Sequence, residues 1–406
     1  MIGTTRRTFV AAVIAAIAAG GTAAAQDDPI RIGAINPYSG QLALYGTEVT
    51  RGYELAADQL NANGGLLGSQ VEVVRGNAAS PQEGIAVVER LAGRDDVDAF
   101  IGTYLSAVSG AASEAALNYN KLYWDTNAIA AGLTERGLPN FVRSGPYATT
   151  FADASVELVI DALAQELGKD PSELRVWLEH EESVYGTSIS ERQEAQFEDA
   201  GVEVVGVGSH DYRSIDLTDS VLRAKDADPD VFIQTGYVPD GNLLLRTMRD
   251  QDFDPNAIVF VGTGDTAETL QAMGEKGVEG LLVVSYPRPG ISEEFGPGSG
   301  AYLEAYREKY GSDPVAPQGM AAYVGFQIMA EAVEKAGSFD PAEVTAILGE
   351  FDEPQGTYAT GFGARFDENK QNVLAYPTVI QWQGGEPVTV FPEEAAGGSK
   401  MTGFGG

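Results

Sequence analysis

The chain predicts an α/β protein built from two lobes, each a doubly wound parallel sheet, and three observations carry that expectation. Strand-like apolar runs alternate with amphipathic helical patterns along most of the 406 residues, the order that builds parallel sheets. The segment 30–74 shows the unit at its clearest: a strand, a polar and aromatic loop, a helix, and a second strand at once. Removing a 25-residue leader leaves 381 residues, more than one core usually supports, so two domains follow.

Taken in order, Ile30, Ile32 and Ile35 with small residues between them read as a buried strand. Tyr38, Ser39, Gly40 and Tyr45 follow at its carboxyl end, where open α/β sheets bind ligands. Val49, Tyr53, Leu55, Ala56 and Leu60 recur at three-to-four spacing and predict a helix over 45–61, which Asn63-Gly64-Gly65 stops. Further strands are expected at 71–74, 99–102, 122–125, 175–179, 202–207, 231–235, 258–262 and 280–284. Helices are expected at 82–91, 106–118, 149–167, 187–199, 240–250 and 317–336, the first of them opened by Pro81, whose missing N–H costs nothing there. The first strand–helix series ends near Arg143-Ser144-Gly145-Pro146, which marks a lobe boundary.

Residues 1–25 read as an export signal: Arg6 and Arg7, an apolar run, then Ala23-Ala24-Ala25 as a small-residue cleavage site. The Thr5-Arg6-Arg7-Thr8-Phe9 string with an alanine-rich core favours twin-arginine export. No later segment is long and apolar enough to span a membrane of about 20 residues. With no cysteine in the chain, disulfides, thiolate metal sites and cysteine nucleophiles are excluded. Losing the leader removes two arginines and no acid, taking the formal charge from −33 to −35, which argues against nucleic acid as a partner. Residues 393–406 look like a flexible tail.

His180 and His210 are the only conventional general bases, and no G-x-S-x-G, paired-histidine or G-x-x-x-x-G-K pattern accompanies them. Asp250, Asp252 and Asp254 alternate as calcium ligands do, but Pro255 stands where that loop needs glycine and Val261 where it needs a glutamate. No catalytic residue, metal or cofactor is therefore expected. What remains is a pattern for binding. Tyr104 and Ser106 follow the strand at 99–102, and the helix opening there favours an anion, with Ser106 as its natural cap. Asn127 and Ala128 follow the strand at 122–125.

The pieces PYSGQLALYG, RGYELAADQLNANGGLLG, VVERLAGRDDVDAFIGTYLS, LYWDTNAIAAGLTERG, ESVYG and TGYVPDGNLLLRTMR resemble, in order and spacing, periplasmic solute-binding proteins of the leucine/isoleucine/valine-binding type, which serve ABC importers. The resemblance implies a type I periplasmic binding fold. Its first lobe would be residues 26–145 plus 286–375, its second 146–285 plus 376–392, joined by a three-strand hinge and closing on a small ligand. It implies a periplasmic monomer that docks on an inner-membrane permease. Tyr185 and Tyr237 match positions that close over ligand, and Ile129 stands where relatives that bind aliphatic amino acids carry a hydroxyl. Asp265 lies one residue beyond the family's ammonium-pairing acid: pointing inward it would bind an amine, and capping a helix at Thr266 it would leave the site nearly neutral. With Tyr45, Tyr104 and Trp124 these tyrosines suggest an aromatic-rich cleft for an amino acid-like ligand or an aromatic carboxylate or amide. A sensory ectodomain and a hydrolase are the alternatives from other classes.

Overall fold

The computed structural model describes residues 28–403, so the expected export signal lies outside the described residues. Strands β1 (Ile30–Asn36), β2 (Val71–Asn77), β3 (Ala99–Gly102), β4 (Tyr123–Asp125) and β5 (Phe141–Arg143) form a five-stranded parallel sheet in the order β2-β1-β3-β4-β5. Helices α1 (Ala43–Ala62), α2 (Pro81–Gly93), α3 (Ser106–Leu117) and α4 (Gly132–Glu135) connect them. Ser80 caps α2 by accepting the Glu83 N–H, and Pro81 holds the first helical position.

The chain then enters a second sheet through α5 (Ala148–Glu157), which continues as a π-helical turn over Leu158–Leu163 and a short α6 (Ala164–Glu166). That turn interrupts what the sequence predicts as one regular helix over 149–167. Next come β6 (Arg175–Glu181), α7 (Val184–Ala200), β7 (Glu203–His210), α8 (Thr218–Ala227), β8 (Val231–Thr235) and α9 (Val238–Asp250). They lead to β9 (Ala257–Val261), α10 (Ala267–Met273), α11 (Glu275–Val278) and β10 (Leu282–Ser285).

From β10 the chain returns to the first sheet with α12 (Ser299–Tyr310), α13 (Gln318–Ala336) and α14 (Pro341–Ala346). It crosses back a third time to give β11 (Thr378–Gln383), β12 (Glu386–Phe391) and α15 (Glu393–Ala396). The second sheet runs β12-β11-β10-β9-β8-β6-β7, parallel from β10 to β7. β11 and β12 are antiparallel, a departure from the all-parallel expectation. Gly384 and Gly385 between them have φ of 60° and 81°, the left-handed pair that a two-residue hairpin needs.

α13 lies against α1 so closely that a Cβ at Gly52 would stand 2.0 Å from the Gly319 carbonyl oxygen. Beside that contact Glu48 is fully buried yet satisfied: Tyr306 Oη approaches its two oxygens at 2.7 and 2.9 Å, Arg51 donates at 2.7 Å, and the Val315 N–H donates at 3.2 Å. The expected flexible tail is held in place as far as Thr402. Ala395 and Ala396 are buried, and Thr402 exchanges two hydrogen bonds with Gln381 of β11, at 2.8 and 2.9 Å.

Candidate ligand-binding cleft

Loops at the carboxyl ends of both sheets face one another, and tyrosines from the two sides meet. Tyr45 of α1 stacks on Tyr104 with centroids 4.5 Å apart and planes 8° from parallel. Tyr104 reaches across to Tyr237, 6.0 Å away, and Tyr237 packs on Tyr185 at 5.2 Å and on Tyr212 at 5.0 Å. Offset and tilted contacts at these distances suit the ring quadrupoles. Burial pushes all four phenols, Tyr45, Tyr104, Tyr185 and Tyr237, well above their ordinary pKa. The Tyr185 hydroxyl donates to the Val261 carbonyl at 2.9 Å, and Gly262 makes room for it: at φ 78° that residue adopts a glycine conformation, and a Cβ there would lie 2.1 Å from the phenol oxygen.

Between Tyr104, Tyr185, Tyr237 and Tyr286 lies a cavity of about 20 Å³, completed by Ser106, Asn127, Ile129 and Gly262. Ser106 also borders a groove of about 540 Å³ that opens outward between α3 and α4 on one side and the start of α7 on the other. The two spaces share Ser106 in their walls.

The wall around Asn127 is a turn held by hydrogen bonds from several sides. Asp125 accepts the N–H groups of Asn127 at 3.1 Å and Ala128 at 2.9 Å, together with the Ser109 hydroxyl, and burial raises its pKa to about 7. Arg143, fully buried at the end of β5, donates to the carbonyls of Ala128 at 3.0 Å and Ala130 at 2.8 Å and to the Gln371 side chain; burial lowers its pKa to about 10, so it keeps its charge at neutral pH. Asn127 donates to the Gln318 carbonyl at 3.2 Å, and its own carbonyl accepts the Tyr286 hydroxyl at 2.8 Å.

The structure thus brings Tyr45, Tyr104, Ser106, Asn127, Tyr185 and Tyr237 together, and corrects three expectations. Ser106 is not the cap of α3; Leu105 holds that position, and the Ser106 hydroxyl accepts the Ala130 N–H at 3.1 Å. Ala128 contributes only backbone to the turn. Trp124 belongs to the interior of its lobe: its indole donates to Ser144 Oγ at 2.9 Å and its ring meets Phe366 edge-on at 5.9 Å. It sits one residue short of the end of β4, so its side chain leaves through a face of the sheet. Trp124→Phe should therefore lower unfolding free energy by about 1 kcal/mol, the worth of one buried hydrogen bond, and leave ligand affinity within twofold in calorimetry. A tenfold loss of affinity would return Trp124 to the site.

Asp265 follows β9 and is 1% exposed. It caps no helix, since α10 begins at Ala267 without a side-chain cap. Burial raises the Tyr45 phenol, and the negative charge of Asp265 raises it further. Arg288 approaches Asp265 Oδ2 at 3.9 Å and donates to the Asp265 carbonyl at 2.9 Å. No sequence pattern singles out Tyr286 and Arg288, which fall just past the boundary between 146–285 and 286–375. Their position directly after β10 obeys the same strand-end rule that points to Tyr45 and Tyr104.

His180 is half-buried against the Glu181 carbonyl, 2.9 Å from it. His210 is buried between Glu179 and Asp240 in the second lobe. Among the described residues no group of three or more histidines, aspartates or glutamates is placed to hold a metal ion, the 250–254 loop included. No helix among them is long and apolar enough to cross a membrane.

A family model described as periplasmic binding protein matches residues 29–386. The chain is 36% identical over 389 residues to the Leu/Ile/Val-binding protein homolog 7 of Brucella suis biovar 1, an alignment covering 96% of this chain and 97% of that one. Among solved structures, the branched-chain amino acid transporter substrate binding protein LivJ from Streptococcus pneumoniae, in complex with isoleucine, is similar with a TM-score of 0.74 and 23% identity over 89% of this chain and 99% of that one. A solute binding protein of an ABC transporter from R. palustris, in complex with benzoate, is similar with a TM-score of 0.73 and 17% identity over 91% and 99% of the two chains.

Proposed function

The chain belongs to the periplasmic binding protein family, the solute-binding components of ABC importers, and from that premise we propose how it captures its ligand. The first lobe, 26–145 plus 286–375, and the second, 146–285 plus 376–392, close on one small organic molecule, amino acid-like or an aromatic carboxylate or amide. Tyr45, Tyr104, Tyr185 and Tyr237 sandwich its body, while Ser106, Asn127 and Asp265 orient its polar groups. The protein works as a periplasmic monomer, exported by the leader at 1–25 through the twin-arginine route. It performs no chemistry and presents its closed form to an inner-membrane permease.

The observation that carries this reading is the contact of Tyr104 from one lobe with Tyr237 from the other. Aromatic faces that meet across a crevice give a ligand differential contacts with the closed form, the only kind that shift a conformational equilibrium. That one structural relative holds isoleucine and another benzoate supports including both kinds of ligand body in the test.

The test is a thermal-shift screen of the mature protein against leucine, isoleucine, valine, phenylalanine, benzoate, 4-hydroxybenzoate and benzamide. A true ligand at 100 times its dissociation constant should stabilise by about 2.7 kcal/mol. Tyr104→Ala, which removes the ring common to both lobes' contacts, should weaken that ligand at least a hundredfold. Unchanged affinity in Tyr104→Ala would overturn the reading.

A further inference from the structure

Three chain segments pass from the wall of the central cavity into the wall of the groove beside it. Ser106 borders both spaces, and Ala107 continues into the groove. Ile129 lines the cavity and Ala130 the groove. From the side of the second sheet, Tyr185 lines the cavity while its neighbour Val184 lines the groove. The two spaces therefore adjoin along walls built from both sides of the cleft, yet they differ greatly in size. At about 20 Å³ the cavity has room for roughly one water molecule, whereas the groove measures about 540 Å³.

The chemistry of the groove suits an uncharged, apolar occupant. Ala107, Gly110 and Leu133 line it from one side and Val184 from the other. Val184 is 56% exposed, a branched apolar side chain left in water that a guest would cover. Arg136 also lines the groove, but each of its guanidinium nitrogens already donates within its own lobe, to the Leu133 carbonyl at 3.1 Å, the Gly110 carbonyl at 2.8 Å and the Ser113 hydroxyl at 2.8 Å. Glu182 and Glu191, both exposed, complete the rim and repel a second carboxylate on a guest.

We infer that this groove is a second subsite for the ligand's tail, so that the protein selects an elongated molecule, with a polar head beside Ser106 and Asn127 and an apolar chain that runs past Ser106 onto Val184. The inference rests on the cleft being the ligand site, as proposed above, and narrows the class of ligand. A compact guest seated wholly between the tyrosines has to spread them, which loses the contacts of Tyr237 with Tyr104 at 6.0 Å and with Tyr185 at 5.2 Å. An elongated guest leaves only its narrow head end between the rings and lays the remainder in space the fold already provides.

Two probe pairs test this by isothermal titration calorimetry on the mature protein: L-2-aminobutyrate against L-2-aminooctanoate, and benzoate against 5-phenylpentanoate. Within each pair the head is shared and the longer member carries four more methylenes. Each methylene taken out of water tightens binding by about fourfold, so the wild type should bind the longer member at least tenfold more tightly in whichever pair fits. Ala107→Phe fills the groove from α3, and Val184→Asp places a charge on its opposite wall; both positions are exposed, so the core is undisturbed. Each variant should cut the ratio of long to short at least fivefold. A wild-type ratio below threefold in both pairs, or a ratio unmoved in both variants, overturns the inference and leaves the cleft reading standing. Failure of the wild type to bind any of these four probes or any compound of the thermal-shift screen sinks the cleft reading and the inference with it.

Discussion

Replacing Arg143 with leucine is expected to lower the unfolding free energy by about 3–5 kcal/mol, read from urea denaturation at neutral pH. The guanidinium is fully buried and holds three acceptors at once, the carbonyls of Ala128 and Ala130 and the side chain of Gln371. Leucine is smaller and apolar, so it leaves those acceptors without donors, and it strips the buried Asp125 carboxylate of the opposite charge that steadies it. The damage would not stop at stability. Asn127 and Ile129, which line the central cavity, sit on the turn that Arg143 pins from behind, so ligand affinity should fall with it. Arg143→Lys should fall between the two proteins, since an ammonium restores charge without the planar fork. A leucine variant within 1 kcal/mol of the wild type would show that the turn is held by Asp125 alone.

The second large effect is a loss of stability on the alkaline side. His210 Nδ1 lies 2.9 Å from Glu179 and Nε2 3.0 Å from Asp240, so a protonated ring bridges two buried carboxylates. Burial pulls the imidazolium pKa down, and the hydrogen bonds of Asp240 and Glu179 overcome it, leaving the value at about 9. A group whose pKa is raised by folding stabilises the folded state fully below its unfolded value, about 6.5, and that contribution disappears as pH climbs through 9. At about 1.4 kcal/mol per unit the swing is about 3 kcal/mol. Asp240 acts in the opposite sense: burial raises its pKa to about 6 despite the neighbouring imidazolium, so its ionisation counts against the fold above that pH. Urea midpoints of the wild type should therefore decline from pH 6.5 to 9.5, and His210→Gln, weaker at neutral pH, should show a flatter profile. Parallel profiles would rule out His210 as the titrating group. Tyr237 would register the change, because its backbone N–H donates to Asp240 Oδ1 at 2.9 Å.

Local pattern made much of this molecule readable in advance. The strand at 231–235 and the helix at 317–336 stand out because β-branched runs and three-to-four apolar spacing need no distant information; the rule that ligands meet strand carboxyl ends points to Tyr104 and Asn127, and the family resemblance to Tyr185 and Tyr237. Trp124 went astray by one position, since a residue within a strand and one just past it differ in direction, not in composition. β11 and β12 went unnoticed although Gly384-Gly385 announces a hairpin, because a parallel reading of the sheet left no place for one. The partnerships of Arg143 with Gln371 and of Arg288 with Asp265 join segments far apart in the chain. No local periodicity encodes such pairs. They follow only once the sheets have set which strand ends lie side by side.

The seating of Gly52 against Gly319 has a bearing on biogenesis. The apolar flank of α1 emerges from the ribosome some 270 residues before the helix that covers it, so the N-terminal half of its lobe cannot complete its core while the intervening lobe is being made. Although domains otherwise tend to mature in order of synthesis, neither sheet can do so here: the first waits for α13 to cover α1, and the second for β11 and β12, the last strands to be made.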